Sequence, residues 1–238
     1  PDGIGGAMNA SQTNFKSCCG KVICHGCMYA MEEEKKKGGE KCSCSKDGCK
    51  NFCPFCRVHM ARSYEEDIDR IEKLMERDNA EAFATLGGLY AQGSHGLRQN
   101  SARANELLLK AGELGCGTAY SSLANAYHSG RGVEVDNEKA KYYFELAAVK
   151  GNANARYNLG AVECKAGNHD RGMKHFIIAA RAGNEYALET VKDGYMDGLV
   201  TKDEYACVLR EYQMRQDEVK SDQRDKAAAA RAEGRWVP

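Results

Sequence analysis

The stretch from Thr118 to Gly151, TAYSSLANAYHSGRGVEVDNEKAKYYFELAAVKG, decides the fold. Its first half sets Ala119, Leu123 and Tyr127 at i, i+4 and i+8, one face of a helix. Its second half carries a matching stripe of Ala140, Phe144, Ala147 and Ala148. Between them lies a loop opening on Gly130-Arg131-Gly132-Val133, and Gly151 closes the stretch with a residue that accepts the left-handed conformation in which helices commonly end. The spacing predicts a pair of helices.

The pair recurs on both sides. EAFATLGGLYAQG and NARYNLGAVECKAG align with the first half so that Ala82, Ala119 and Ala155 match, as do Leu86, Leu123 and Leu159. Tyr90 and Tyr127 correspond, and Glu163 stands in their place in the third copy. The second halves, ANELLLKAGELG, AKYYFELAAVKG and GMKHFIIAARAG, end at Gly115, Gly151 and Gly183, spaced by 36 and 32 residues. The shorter interval reflects loss of the GVEVD loop. One pair cannot bury its own stripe, so about three or more must stack, with the alanines and Gly87 or Gly160 permitting close helix approach. A degenerate fourth unit over 185–213 keeps Ala187, Val191 and Tyr195 at first-helix spacing. There Thr201-Lys-Asp-Glu204 forms a capping box before Tyr205, Leu209 and Tyr212, and the unit reads as a C-terminal cap.

Residues 79–184 resemble an array of three Sel-one-like repeats, in the A-x3-L-G-x2-Y-x2-G first helix, the G-x-G-V loop and the K-A-x6-A-A second helix. The related tetratricopeptide pattern runs at about 34 residues and lacks the glycine loop. The resemblance implies a right-handed superhelix whose concave face binds peptides or other proteins. The repeated Ala, Leu and Tyr are expected to be core, which leaves the polar Asn125, His128, Arg156 and Asn158 as candidate contacts.

Flanking segments read differently. Residues 61–78 open on a capping box, Ser63 to Glu66, and continue with Ile68, Ile71, Leu74 and Met75 as a connecting helix whose charged face is solvated. Residues 214–238 mix both charge signs with alanine and are expected to be helix fraying into disorder. The only tryptophan, Trp236, lies there.

Over all 238 residues, 34 Lys+Arg balance 34 Asp+Glu, which removes the basic excess that nucleic-acid binding usually requires. No apolar run approaches the roughly 20 residues needed to span a bilayer, so neither nucleic acid nor a membrane is an expected partner. No motif places a Ser/His/Asp set or a phosphate loop.

Nine of the 12 cysteines, Cys18, Cys19, Cys24, Cys27, Cys42, Cys44, Cys49, Cys53 and Cys56, fall within 39 residues. Cys116, Cys164 and Cys207 are scattered singly and read as small packing residues. Residues 1–14 are polar and glycine-rich, without the features of a secretory signal, and read as a flexible remnant. Thiolates holding metal in a reducing compartment, cytoplasmic or nuclear, are therefore expected over a disulfide-bonded secreted domain. Cys24-His25-Gly26-Cys27 and Cys53-Pro54-Phe55-Cys56 are C-x2-C pairs, a spacing that lets two thiolates chelate one tetrahedral zinc. Cys18-Cys19-Gly20 adds another pair. His25, between ligands, reads as a solvent-facing residue. YAMEEEKKK, Tyr29 to Lys37, reads as a short helix ended by Gly38-Gly39.

CCGKVICHGC followed by CPFCR resembles the second half of a RING-type zinc finger over residues 15–60. That resemblance implies zinc bound in a cross-brace. Cys18, Cys19, Cys53 and Cys56 would hold one ion, and Cys24 and Cys27 would share another with a first C-x2-C pair. Because the chain opens on Pro1 rather than Met, that first pair is expected upstream. Lys21 stands where many such fingers carry a histidine ligand. Cys42, Cys44 and Cys49 lie outside the family pattern; they are spectators or complete the half-supplied site. The resemblance also implies that Pro54 and Arg57 dock a ubiquitin-conjugating enzyme, with the repeats selecting a target. Such a ligase has no nucleophile of its own. A non-enzymatic zinc-finger and repeat scaffold is the other reading the sequence allows. The expected architecture is mostly α: a small zinc-stabilised RING-like module followed by an α-α superhelical repeat solenoid.

Overall fold

The computed structural model describes residues 13–36, 61–219 and 222–234. They divide into two compact units, one made of Gly87–Val219 and the other of the described parts of Asn9–Leu86 and Lys220–Pro238.

The first unit is built from helix pairs. After α3 (Ala80–Gln92), in which the division falls, come α4 (Ser101–Glu113), α5 (Gly117–Ser129), α6 (Asn137–Val149), α7 (Ala153–Lys165), α8 (His169–Arg181), α9 (Glu185–Met196) and α10 (Lys202–Val219). Each of α5 to α9 packs on its chain neighbour, and α10 returns to both α8 and α9. The stripes read from the sequence are the core. Ala124, Ala140, Phe144, Ala147, Ala155 and Leu159 form one buried cluster, and Phe176, Ala179, Ala180, Ala187, Val191, Val200 and Val208 form the next.

Pairs are joined by a recurring turn. Gly115, Gly151 and Gly183 take φ of 105°, 83° and 92°. The N–H groups of the following residues, Cys116, Asn152 and Asn184, donate to Ala111, Ala147 and Ala179 O at 2.9, 3.0 and 3.0 Å, the six-to-one bond of a Schellman motif. Asn152 and Asn184 also open the next helix, their Oδ1 atoms accepting from Ala155 and Ala187 N–H at 2.9 and 2.7 Å. Cys116 holds the same position without a side-chain cap. It is buried, as a packing residue should be, but the joint rather than the core explains its place.

The loop inside a pair has its own logic. Gly132, at φ 72°, passes so close to α4 that a Cβ would lie 2.5 Å from Ser101 backbone carbon, and Arg131 O accepts from Asn105 Nδ2 at 2.8 Å. The Gly-x-Gly motif therefore lets one repeat's loop rest on the preceding repeat.

In the second unit, β1 (Thr13–Lys16) and β2 (Lys21–Cys24) pair antiparallel in the register Thr13 with Cys24 and Lys16 with Lys21. Helix α1 (His25–Lys36) follows directly, four residues earlier than the sequence reading placed its start. Helix α2 (Tyr64–Met75) is capped by Ser63, whose Oγ accepts from Glu66 N–H at 3.2 Å, and buries Ile71 and Leu74. The hairpin turn is anchored to it: Ser17 Oγ donates to Asp67, and a Cβ on Gly20 would lie 3.5 Å from Leu74. The end of α2 repeats the turn of the first unit with Asp78 at φ 53° in the glycine place and Asn79 capping Ala82 N–H at 3.0 Å. The connecting helix therefore ends as a repeat helix does.

In the C-terminal segment the helical alternative is the one described. α10 continues to Val219, beyond the expected end of the cap, and residues 222–232 form α11 rather than fraying. Ala227 and Ala230 are buried against Met28 and Tyr29 of α1. Trp236 lies outside the described residues.

Candidate functional site

Two sets of residues merit functional reading, one in each unit. In the repeat unit, the first helices α5, α7 and α9 lie side by side and exchange side-chain contacts. Asn158 Nδ2 is 3.5 Å from Asn125 Oδ1, Asn184 Nδ2 donates to Asn154 Oδ1 at 2.7 Å, and the rings of Tyr157 and Tyr186 are 6.3 Å apart. An asparagine amide both donates and accepts, which suits it to pair with peptide backbone. Tyr186, largely exposed, adds apolar area with a polar tip. Farther along, Tyr143 stacks between Tyr120 and Tyr127, with centroids at 5.9 and 5.6 Å.

Of the four polar residues singled out from the sequence, Asn125 and Asn158 belong to this row. His128 is exposed, its Nδ1 3.3 Å from Asn137 Oδ1. Arg156 is differently employed: its Nη2 donates to Ala148 O at 3.2 Å and holds the end of α6. Asn154 and Asn184 were not singled out, although Asn184 beside Gly183, like Asn152 beside Gly151, was a visible signal.

Glu163 is the second feature missed. The N–H of the residue that opens each second helix bonds back to one position of the first: Asn100 to Tyr90 O, Asp136 to Tyr127 O and Asn168 to Glu163 O, at 2.9, 3.0 and 2.9 Å. Where the first two copies carry tyrosine, the third buries a carboxylate, its side chain 1% exposed. Lys141 Nζ of α6 lies 2.8 Å from Oε1, Arg171 Nε of α8 is 3.7 Å from Oε2, and Asn168 Nδ2 donates to Oε2 at 3.0 Å. The Lys141 hydrogen bond holds the Glu163 carboxyl below its usual range and raises Lys141 in return. One carboxylate thus ties three helices of two repeats.

The sign of its pH dependence follows. A carboxyl whose folded pKa is depressed stabilises the fold fully above its unfolded value, about 4.3, and that contribution is lost as pH falls through the lower folded value. Between pH 5 and pH 3 (approximate bounds from that pKa), the array is expected to lose stability faster than a Glu163→Gln variant, whose curve lacks this component. Urea midpoints of the helical signal across that range check it. Parallel curves would remove Glu163 from the account.

In the second unit, Cys18 and Cys19 are half-buried in the turn between β1 and β2; Cys24 ends β2; Cys27 is exposed in the first turn of α1. Cys53, Pro54, Cys56 and Arg57, like Cys42, Cys44 and Cys49, lie outside the described residues. Among the described residues no three His, Cys, Asp or Glu side chains converge as a metal site. Cys207 is not simply packing: its thiol is 3.3 Å from Glu211 Oε1 and 3.8 Å from Arg181 Nη2. No helix among the described residues is long and apolar enough to cross a membrane.

Comparison with known proteins bears on the helical pairs. Residues 85–116, 118–152 and 153–184 each match the family model of the Sel1 repeat. Residues 85–184 thus carry three consecutive segments similar to the Sel1 repeat. The chain superposes on a Sel1 repeat protein from Oxalobacter formigenes with a TM-score of 0.57 at 26% identity, covering 67% of this chain and 66% of that one. A protective antigen of uropathogenic Escherichia coli displaying an SLR fold gives a TM-score of 0.58 at 22% identity, covering 74% of this chain and 38% of its own, and shares the fold. A curated relative, the ERAD-associated E3 ubiquitin-protein ligase component HRD3B of Arabidopsis thaliana, is 32% identical over 112 residues, 47% of this chain. The match spans only 17% of that protein's length. The described chain is thus mostly helical, and its repeat region is similar to a Sel1 repeat solenoid.

Proposed function

We propose that this chain is a zinc-binding protein-interaction protein in which the Sel1 array selects a protein target and the cysteine segment, as a RING-type finger, recruits a ubiquitin-conjugating enzyme. The observation that carries the binding role is the row formed by α5, α7 and α9, where Asn125, Asn158, Asn154 and Tyr186 offer amides and an aromatic ring along adjacent helices. The similarity of the array to part of a ubiquitin-ligase component supports placing that role in ubiquitin ligation.

The length of β2 is consistent with the two-ion reading. The three residue steps of β2 from Lys21 to Cys24 span about 10 Å, whereas thiolates sharing a tetrahedral zinc at about 2.3 Å each must lie within about 4 Å of one another. In this reading Cys18 and Cys19, in the turn before the strand, would hold a different ion from Cys24 at its far end, the alternation a cross-brace requires. Cys53 and Cys56 would join the first ion, and Arg57 would present a planar fork of donors to the conjugating enzyme that a lysine would not reproduce. The protein would act by holding the charged enzyme in its reactive arrangement.

Ubiquitin transfer in the presence of a panel of conjugating enzymes is the test. Transfer that Arg57→Ala abolishes while zinc content stays unchanged is expected. No transfer with any enzyme, in a chain that retains zinc, would leave the non-enzymatic adaptor as the function. Loss of zinc binding itself on Cys53→Ser with Cys56→Ser is expected by metal analysis, and unchanged zinc content would remove the finger.

A further inference from the structure

The third repeat departs from its neighbours at three aligned positions. In the second repeat, Tyr143 of α6 stacks between Tyr120 and Tyr127 of α5. The aligned residues of the first repeat, Phe83, Tyr90 and Leu107, are aromatic or aliphatic as well, and in the fourth unit Tyr195 stacks on Tyr205 with centroids 5.0 Å apart. In the third repeat the same three places hold Arg156, Glu163 and His175. A set of rings has been exchanged for a set of charged and titratable groups.

Glu163 has its partners on α6, α8 and the turn before α8, but His175 is less well supplied. Its ring is half-buried, and Nδ1 is fully buried with no hydrogen-bond partner among the described residues. The charges acting on it come from three helices: Arg156 and Glu163 of α7, Glu145 of α6 and Arg171 of α8 itself. Burial, then Arg156, hold the imidazole below its usual pKa, and Arg171 adds to them against the two carboxylates. Glu163 is already shared by Lys141 and Arg171. A proton on His175 therefore adds a cation to a place that holds Arg156, Arg171 and Lys141, where burial penalises the charged form.

We propose that the third repeat is an acid-sensitive joint, in which the Arg156, Glu163 and His175 set loosens α8 from α7 on acidification while the aromatic repeats stay closed. A group whose pKa is lower in the folded state stabilises it fully above the unfolded value, about 6.5 for histidine, and that contribution is lost as pH falls through the lower folded value. The Glu163 contribution is lost only at more acid pH, below about 4.3, so the two are separable. Each unit of such an array packs only on its neighbours, which lets one pair open locally. α7 also carries Asn154 and Asn158, and its Tyr157 packs on Phe176, the residue after His175, and on Tyr186. Part of the polar row is therefore disturbed when the joint opens. That consequence rests on the binding role proposed for the row; the joint itself does not.

Hydrogen exchange on the full chain at about pH 7.5 and about pH 5.5, either side of the histidine value, is the test. Protection factors, which remove the chemical pH dependence of exchange, are expected to fall about threefold or more further in α7 and α8 than in α5 and α6. His175→Phe puts a ring back in that place and is expected to abolish the difference, whereas His128→Gln, at an exposed position of α5, is expected to leave it. An equal fall in all four helices, no fall, or a difference that survives His175→Phe would overturn the proposal. Nuclear magnetic resonance of the unaltered chain needs no variant to fold: the carbon-bound ring protons of His175 are expected to titrate below about pH 6.5, and titration at or above it would overturn the proposal equally. None of these readouts involves a bound target, so their failure leaves the binding role of the row untouched.

Discussion

Replacing Phe144 by alanine is expected to remove about 3–5 kcal/mol from the stability of the repeat array. The residue is 2% exposed and is among the largest fully buried side chains in the described protein. Around it the cluster is built of small residues, Ala124, Ala140, Ala147 and Ala155, with Leu159, so no flexible neighbour can refill the space. Half-buried Tyr120, Tyr127 and Tyr143 line the same cluster, but two ring stacks tie them together. Loss of the ring removes both transfer energy and dispersion contacts and leaves a cavity between repeats. Because stability in such an array is carried by interfaces between neighbours, the effect should spread to α5 and α7 and broaden the transition. Urea unfolding followed by far-ultraviolet circular dichroism measures it, with Phe144→Leu expected to lose about 1.5 kcal/mol or less. A loss below about 1 kcal/mol for the alanine variant would show that the cluster collapses around the gap.

Gly172→Val should be comparably damaging for the opposite reason. Here α7 and α8 cross backbone against backbone: a Cβ on Gly172 would lie 2.2 Å from Cys164 Sγ and 2.9 Å from Gly160 O, and one on Gly160 would lie 3.0 Å from Gly172 O. A side chain can rotate away, but a helical carbonyl cannot. The helices must therefore separate, and a cost at or above the usual 1–3 kcal/mol of overpacking, about 3–4 kcal/mol, is expected. Gly88→Ala is the control, since a Cβ there meets nothing within 4 Å. It should gain up to about 1 kcal/mol from helix propensity alone. Equal midpoints for the two variants would refute the reading of the crossing.

The pair architecture was legible in the sequence because each copy states it redundantly. Alanine, leucine and glycine recur at fixed offsets, and a helix buries what recurs. Glu163 was legible only as a departure. Its partners, Lys141 and Arg171, come from two other helices, and nothing local in the sequence marks a charge whose compensation arrives from elsewhere in the fold. The packing of α11 was not legible for a similar cause. Its alanines make a poor stripe by themselves, and the apolar side chains they meet come from Met28 and Tyr29, far away in the chain. Arg156 was taken for display because arginine usually is exposed, whereas its reach lets it close a neighbouring helix end. The C-x2-C spacings, by contrast, are visible in the sequence at once, whereas the hairpin is needed to see that Cys18 and Cys19 lie in the turn before β2 and Cys24 at its far end.

The joints between repeats have a consequence for how this array can change over evolutionary time. Gly151 and Asn152, like Gly183 and Asn184, end one helix and begin the next with no residue to spare. Inserting or deleting one residue there would turn every following helix by about 100°, and its alanine stripe would face water. The loop after Gly130 has no such constraint, and the third copy does without its GVEVD stretch altogether. Length variation is therefore channelled into the loops within a pair, while the array lengthens or shortens only by whole repeats. Duplication, rather than gradual insertion, is the step by which such a binding surface grows.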